Sequence, residues 1–348
     1  MPVAALRAHA SLSASGGPTP RTRRTCRGVG SPDVCGARQD RVVRTELTVD
    51  ARLDLDGVLD FVRVRAIPGI EEVGERHYRR ALRIDGVEVI AGVEVIPEVE
   101  VVDRPRPADD TRAASRRIVV ISNTDDPVLH AEIERRVRRL FDLDAPADEI
   151  DGVLSREPAL APLVAARPGI RIPGSLDAEE MLVRAIVGQQ ISVVAAQGHL
   201  REIAASGSAL ARPDGAITRL FPTARELLAG GAELLRGPES RRATLRGAAA
   251  AIDSGGLRLT LDVPADPAGL RAQLIALRGI GPWTADYLAL RIHGSPDIAL
   301  PGDSAVRLGL RRLGAEQWDP AAVLRFAEAF RPWRSYLMQH LWARAAAV

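Results

Sequence analysis

An α+β protein in two unlike parts is predicted by three observations: strand-like texture over residues 45–122, a change to helical periodicity from about residue 126, and a glycine hairpin opening a helix within Leu277–Tyr287. An N-terminal antiparallel sheet domain is therefore expected to precede an all-α region.

Residues 1–44 lack hydrophobic periodicity and are rich in Arg, Ser, Gly and Pro, so they read as a disordered basic tail. An organelle transit peptide or a misplaced start codon would look the same, and no apolar h-region points to secretion. Residues 45–125 form the predicted sheet domain: ELTVD, HYRRALRI, VEVIAGVEVI, VEVV and RRIVVIS alternate or run β-branched, and one helix, Asp56–Ala66, interrupts them. The Pro- and charge-rich VDRPRPADDTRAASR is read as a long loop. Residues 126–348 are predicted to be all-α. A helix capped at Asp125 or Asp126 places Leu129, Ile133, Val137 and Leu140 on one face. Further helices are expected over 178–187, 193–205, 224–229, 241–252, 267–277, 282–292, 305–313, 320–330 and 332–347. GLRLTLDVP reads either as a short strand or as an extended connector.

At 348 residues, 46% hydrophobic and 26% charged, the chain has the composition of a soluble protein of two or three domains. Acids break its apolar stretches well short of a bilayer span, so no membrane partner is expected. Cys26 and Cys35 make no disulfide framework and too few ligands for an iron–sulfur cluster, and a reducing cytoplasm fits. The formal net charge is +2, yet from Pro267 onward ten arginines face six acids, which suits a polyanion. Lysine is absent: all 47 basic residues are arginine.

In LRGIGPWTADY, Gly279 and Gly281 are read as allowing backbone conformations that a Cβ would forbid, and Pro282 suits a first helical turn. The hairpin group Gly279, Ile280, Gly281 and Thr284 would leave unpaired amides on which an anion can dock. Asp303 follows in LPGDSAVR, just ahead of another helical pattern. Taken singly, a GxG before a helix is a common turn and Asp303 an ordinary N-cap. Their conjunction shifts that balance.

That conjunction resembles the helix-hairpin-helix superfamily of DNA glycosylases. Over about Leu53–Ala345 the chain is similar to the bacterial 3-methyladenine DNA glycosylase II branch, through FVRVRAIPGIEEV, RRLFDLDA, LVAARPGIRIPGSLDAEE, VRAIVGQQISV and RPWRSYLMQHLW. The resemblance implies a sheet domain like half of the TATA-binding protein, followed by two helical subdomains flanking a cleft. It implies a monomer acting on double-stranded DNA with damaged bases, with Asp303 as the catalytic carboxylate. Such a carboxylate stabilises oxocarbenium charge at the sugar or receives a proton from the attacking water.

Trp283, Tyr287 and Trp342 are implied to line the base pocket. Trp283 and Tyr287, four residues apart, share a helix face, though that spacing serves a core equally well. Gln190 stands where the family carries its wedge side chain, and reads either as the plug that fills the vacated stack or as a helix-turn cap. Ser304, small where the family often has a large side chain, would open the pocket. No cofactor is required; a monovalent cation, sodium or potassium, would be held by the carbonyls of Ile275, Leu277 and Ile280. The tail lacks the cysteine set of a zinc-binding fusion, and His340 is read as a packing residue. Trp283 occupies the position of the lysine with which nicking relatives form a Schiff base, so a monofunctional enzyme releasing alkylated bases is expected. A related enzyme for oxidised or deaminated bases, or a noncatalytic DNA-binding protein, remain the alternatives.

Overall fold

The structure, a computed structural model, describes residues 42–96, 115–314 and 318–347. The predicted tail lies outside the described residues except at its end, where β1 (Val43–Asp50) begins. Cys26, Cys35, the predicted strand VEVV and most of the predicted loop lie outside them as well.

After β1, α1 (Leu55–Arg63) is capped by Asp54, which accepts from Gly57 N at 2.9 Å. β2 (Glu71–Val73), β3 (His77–Ile84), β4 (Val87–Ile96) and β5 (Ser115–Ser122) complete an antiparallel sheet of order β1-β5-β4-β3-β2. Asp85 and Gly86, both at positive φ (48° and 81°), make the two-residue turn joining β3 to β4. Helix α2 (Pro127–Phe141) is capped by Asp126 and lays Leu129, Ile133, Val137, Leu140 and Phe141 on the sheet. A boundary at residue 125 would cut this core in two, because α2 supplies one wall of it.

The helical part continues through α3 (Ala147–Leu154), α4 (Ala161–Ala166), α5 (Ala178–Val187) and α6 (Val193–Ala204). It is not all-α as expected: β6 (Ala209–Asp214) and β7 (Ile217–Arg219) form a hairpin. Thr218 N donates to the Gly69 carbonyl at 2.8 Å, and Leu210, Ile217 and Leu220 close over Ala81 and Ile90. This second cover explains why β4 is buried almost continuously rather than on alternate residues. Next come α7 (Ala224–Leu228), α8 (Glu239–Asp253), α9 (Pro267–Ala276), α10 (Pro282–His293), α11 (Ser304–Arg311), α12 (Pro320–Ala327) and α13 (Arg334–Ala346). The segment GLRLTLDVP is a connector whose Leu257, Leu259 and Leu261 are buried between exposed neighbours, so its alternation records one-sided burial without strand pairing.

Two helical cores result. One gathers Leu182, Ile186, Ile203, Leu245, Leu274 and Leu288; the other gathers Leu154, Leu290, Val306, Leu310, Leu337 and Leu341. Helix α10 contributes to both. Helices α11 and α13 approach so closely that a Cβ on Gly309 would run into the Leu341 backbone.

At the seam between sheet and helices lies a buried ionic network. Glu180 accepts from Arg80 Nη1 at 3.2 Å and from Arg184 Nε at 2.6 Å. Glu71 accepts from Arg184 Nη2 and the Tyr78 hydroxyl, both at 2.6 Å, and from Ile67 N at 2.7 Å. Among the described residues no helix is long and apolar enough to cross a membrane.

Candidate active site

The hairpin is made where α9 ends at Ala276 and Ile280 N returns to the Leu277 carbonyl at 3.0 Å. Gly279 has φ +87° and presses against the Thr244 side chain, so both its conformation and its surroundings demand glycine. Gly281 differs from expectation. It is extended, at φ −97° and ψ 175°, and a Cβ there would meet no other group. Its N-cap position carries no side-chain hydrogen bond, so the first-turn amides of α10 stay available to an anion. Ile280 and Thr284 are buried, 4% and 3% exposed, and therefore shape the hairpin from inside, leaving only backbone to face a ligand.

Thr284 also holds the neighbouring loop. Gln189 Nε2 donates to the Gly279 carbonyl at 2.9 Å and to Thr284 Oγ1 at 3.1 Å, while Arg241 Nη2 donates to the Gln189 carbonyl at 2.7 Å. Gln190 follows at φ +58° and is exposed, so the strained residue is the one at the tip. The resemblance put Gln190 at the wedge position, with a helix-turn cap as the other reading. In the structure Gln189 is the tether and Gln190 the free projection.

Asp303 is an N-cap and more. Its Oδ1 accepts from Ala305 N and Val306 N at 2.9 Å each and from Trp342 Nε1 at 3.1 Å; among the described residues its Oδ2 accepts only from Trp283 Nε1, at 3.0 Å. One oxygen is therefore saturated and fixes the carboxylate, while the other keeps a lone pair for a substrate or a water. The structure brings the three predicted pocket aromatics together around it. Trp283 and Tyr287 stack at 5.1 Å and 8°, and Tyr287 meets Trp342 edge-on at 6.3 Å and 74°. Both tryptophans are hydrogen-bond donors to the acid, which their spacing did not indicate.

Three residues were missed. Arg291, one turn beyond Tyr287, and Phe61 with Arg65, brought in by α1 and the loop after it, close the inner side of this cluster. Burial pushes the Tyr287 hydroxyl up, but the positive charges of Arg291 and Arg65 outweigh it, so its pKa lies below the ordinary value. FVRVRAIPGIEEV carried Phe61 and Arg65 only as part of a likeness; nothing in their local pattern tells that they reach α10. His340 is 3% exposed, and burial lowers its pKa to about 4, as suits a neutral packing residue. A cavity of about 540 Å³ lies elsewhere, lined by polar groups such as Arg83, Glu132, Arg135 and Glu179, and none of the site residues borders it.

The AlkA N-terminal domain family matches residues 44–177, which spans the sheet and the helices packed on it. The chain is 35% identical over 301 residues to the probable bifunctional transcriptional activator/DNA repair enzyme AlkA of Mycobacterium tuberculosis, covering 86% of this chain and 56% of that one. It thus spans little more than half of that relative. It is 33% identical over 293 residues to DNA-3-methyladenine glycosylase 2 of Escherichia coli, covering 83% of this chain and 93% of that one. In fold it is similar to the 3-methyladenine DNA-glycosylase from Archaeoglobus fulgidus, with TM-score 0.69, 22% identity, and 87% and 98% of the two chains covered. A Clostridium acetobutylicum 8-oxoguanine glycosylase/lyase shares the fold at TM-score 0.60 and 21% identity, over 87% and 96% of the two chains. With an α+β helix-hairpin-helix architecture and a 33% identical relative covered almost end to end, the chain belongs to the DNA-3-methyladenine glycosylase 2 (AlkA) family.

Proposed function

We propose that this protein is a monofunctional DNA glycosylase that flips alkylated bases of the 3-methyladenine and 7-methylguanine class out of duplex DNA and releases them by hydrolysis. The single observation that carries the reading is Asp303, pinned through Oδ1 by three donors while Oδ2 retains accepting capacity beside an aromatic cluster.

The steps follow from the residues. The first-turn amides of α10 bind a backbone phosphate, and Gln190 fills the vacated stack. The extruded base rests against Trp342, Tyr287 and Trp283, whose ring faces favour a cation. As the glycosidic bond lengthens, Asp303 stabilises the positive sugar and Oδ2 takes a proton from the water that attacks C1′. N-alkylated bases are good leaving groups, so one carboxylate suffices. Without any lysine, no side-chain Schiff base forms and the strand stays intact.

The carbonyls of Ile275, Leu277 and Ile280 are the donors we assign to a monovalent cation. Leu277 already accepts one backbone hydrogen bond and keeps its second lone pair, which fits that role. We assign the protein to the cytoplasm as a monomer on DNA.

The test is to incubate methylated duplex DNA with the protein and with Asp303→Asn and to measure free bases. Release of 3-methyladenine and 7-methylguanine from intact strands is expected, with a loss of about a thousandfold in the variant. DNA binding with no release would favour a noncatalytic binder or another lesion, and strand breaks would overturn the hydrolytic assignment.

A further inference from the structure

The inner end of the aromatic cluster holds a charge that the steps above leave unused. Arg291 is 3% exposed; its Nη1 donates to the Pro173 carbonyl at 3.0 Å, and its Nε has no partner. Among the described residues no carboxylate pairs with it. Rings surround it instead, with the guanidinium carbon 4.4 Å from the Phe61 centroid, 5.2 Å from Tyr287 and 5.1 Å from Trp342. Arg65 adds a second guanidinium 3.9 Å from the Phe61 centroid. An unneutralised buried cation is costly, and a residue needed only for packing there would be apolar. Asp303, bonded to the Nε1 edges of Trp283 and Trp342, carries the opposite charge at the border of the same rings.

We propose that Arg291 is a specificity-determining residue of this pocket, its charge, matched by no carboxylate, acting with that of Arg65 to stabilise the electron density that gathers on the departing base. The inference rests on the base-excision reading above. When the bond from C1′ to the base nitrogen breaks, its electron pair goes to the base. Water oxygen bonds to C1′, and the released proton passes to Asp303 and then to solvent. The base thus loses one unit of positive charge whatever it was: cationic 7-methylguanine leaves neutral, and neutral hypoxanthine leaves as an anion that solvent protonates. A fixed positive charge speeds bond breaking in both cases, but it repels only the cationic base on entry. For that lesion the two effects offset each other. For the neutral one nothing opposes the gain.

The experiment uses duplexes carrying one 7-methylguanine or one hypoxanthine, with wild type, Arg291→Met and Arg65→Met, and measures the maximal single-turnover rate and the enzyme concentration giving half of it. For hypoxanthine we expect Arg291→Met to lower the maximal rate about tenfold with half-saturation unchanged. For 7-methylguanine the rate and the half-saturating concentration fall together. Arg65→Met shows the same split at smaller size and carries the test if Arg291→Met does not fold. Equal loss of efficiency on both lesions in the folded variants would mean that the arginines merely pack, and would overturn the inference while leaving base excision intact. A wild type that releases neither base would instead take down the excision reading, and this inference with it.

Discussion

At the seam between sheet and helices, Glu71, Arg80, Glu180 and Arg184 neutralise one another in a buried network, each carboxylate bonded to arginine. Around the aromatic cluster, Asp303 is held by two indoles and two backbone amides, and Arg291 by a carbonyl and aromatic rings. The seam and Arg291 are buried and meet the full desolvation cost, whereas Asp303 and its indoles are half-buried and meet part of it. At the seam, opposite charges offset it and nothing remains for a ligand. Around the cluster, neutral groups orient each charge without cancelling it. The difference teaches that charge serves here as structure where it is matched, and is left available to a ligand where it is not.

The largest effect should come from Glu180→Gln, which leaves Arg80 and Arg184 to share Glu71. We expect about 3–5 kcal/mol less stability in urea unfolding, with base release per folded molecule unchanged. A stable variant with impaired release would erase the distinction between the two clusters. Acidification sharpens it. Desolvation opposes ionisation of Glu180, but Arg80 and Arg184 outweigh it and its folded pKa lies below 4.5. Its contribution is therefore complete above 4.5 and disappears as pH falls through the folded value. Stability curves of wild type and Glu180→Gln should converge on that acid side.

Trp342→Phe removes one donor from Asp303 and keeps a ring. A hydrogen bond to a charged group is worth about 1.5–3 kcal/mol, so base release should slow about 10- to 100-fold with the unfolding midpoint nearly unmoved. A parallel drop in midpoint would make Trp342 a core residue. Smallest, Gln189→Ala frees the tip carrying Gln190; two hydrogen bonds of about 1 kcal/mol each are lost, and affinity for abasic-site duplex should weaken several-fold. Unchanged affinity would remove Gln190 from the interface.

Much of this was legible in the sequence because period and punctuation carry it. Helix α5 was placed at Ala178–Val187 by its apolar spacing, and the LRGIGP run fixed the start of α10 at Pro282. Short elements escaped. Helices α3 and α4 and the β6–β7 hairpin hold too few residues for a period to emerge, and the hairpin is stabilised by contact with Gly69 and β4, a tertiary effect. Within the site, Asp303, Trp283, Tyr287 and Trp342 were legible as types at spacings. Arg291 was not, because an arginine on a helix reads as a solvated charge until one sees that its neighbours are rings. Gln190 was singled out by likeness alone, and the tether at Gln189 was not legible, since the two roles divide on a single left-handed φ.

One close contact has consequences beyond packing. Asp303 begins α11 and Trp342 lies in α13, and these helices touch at Gly309 with no room for even a methyl group. The acid and its tryptophan donor are therefore mounted on what is mechanically one part. A shift of one of these helices would carry the other with it, which keeps the 3.1 Å bond between acid and donor in place. On the proposed reading, variation at Ser304 can then retune which base is admitted without detuning the acid, so substrate range and catalytic geometry are free to drift separately.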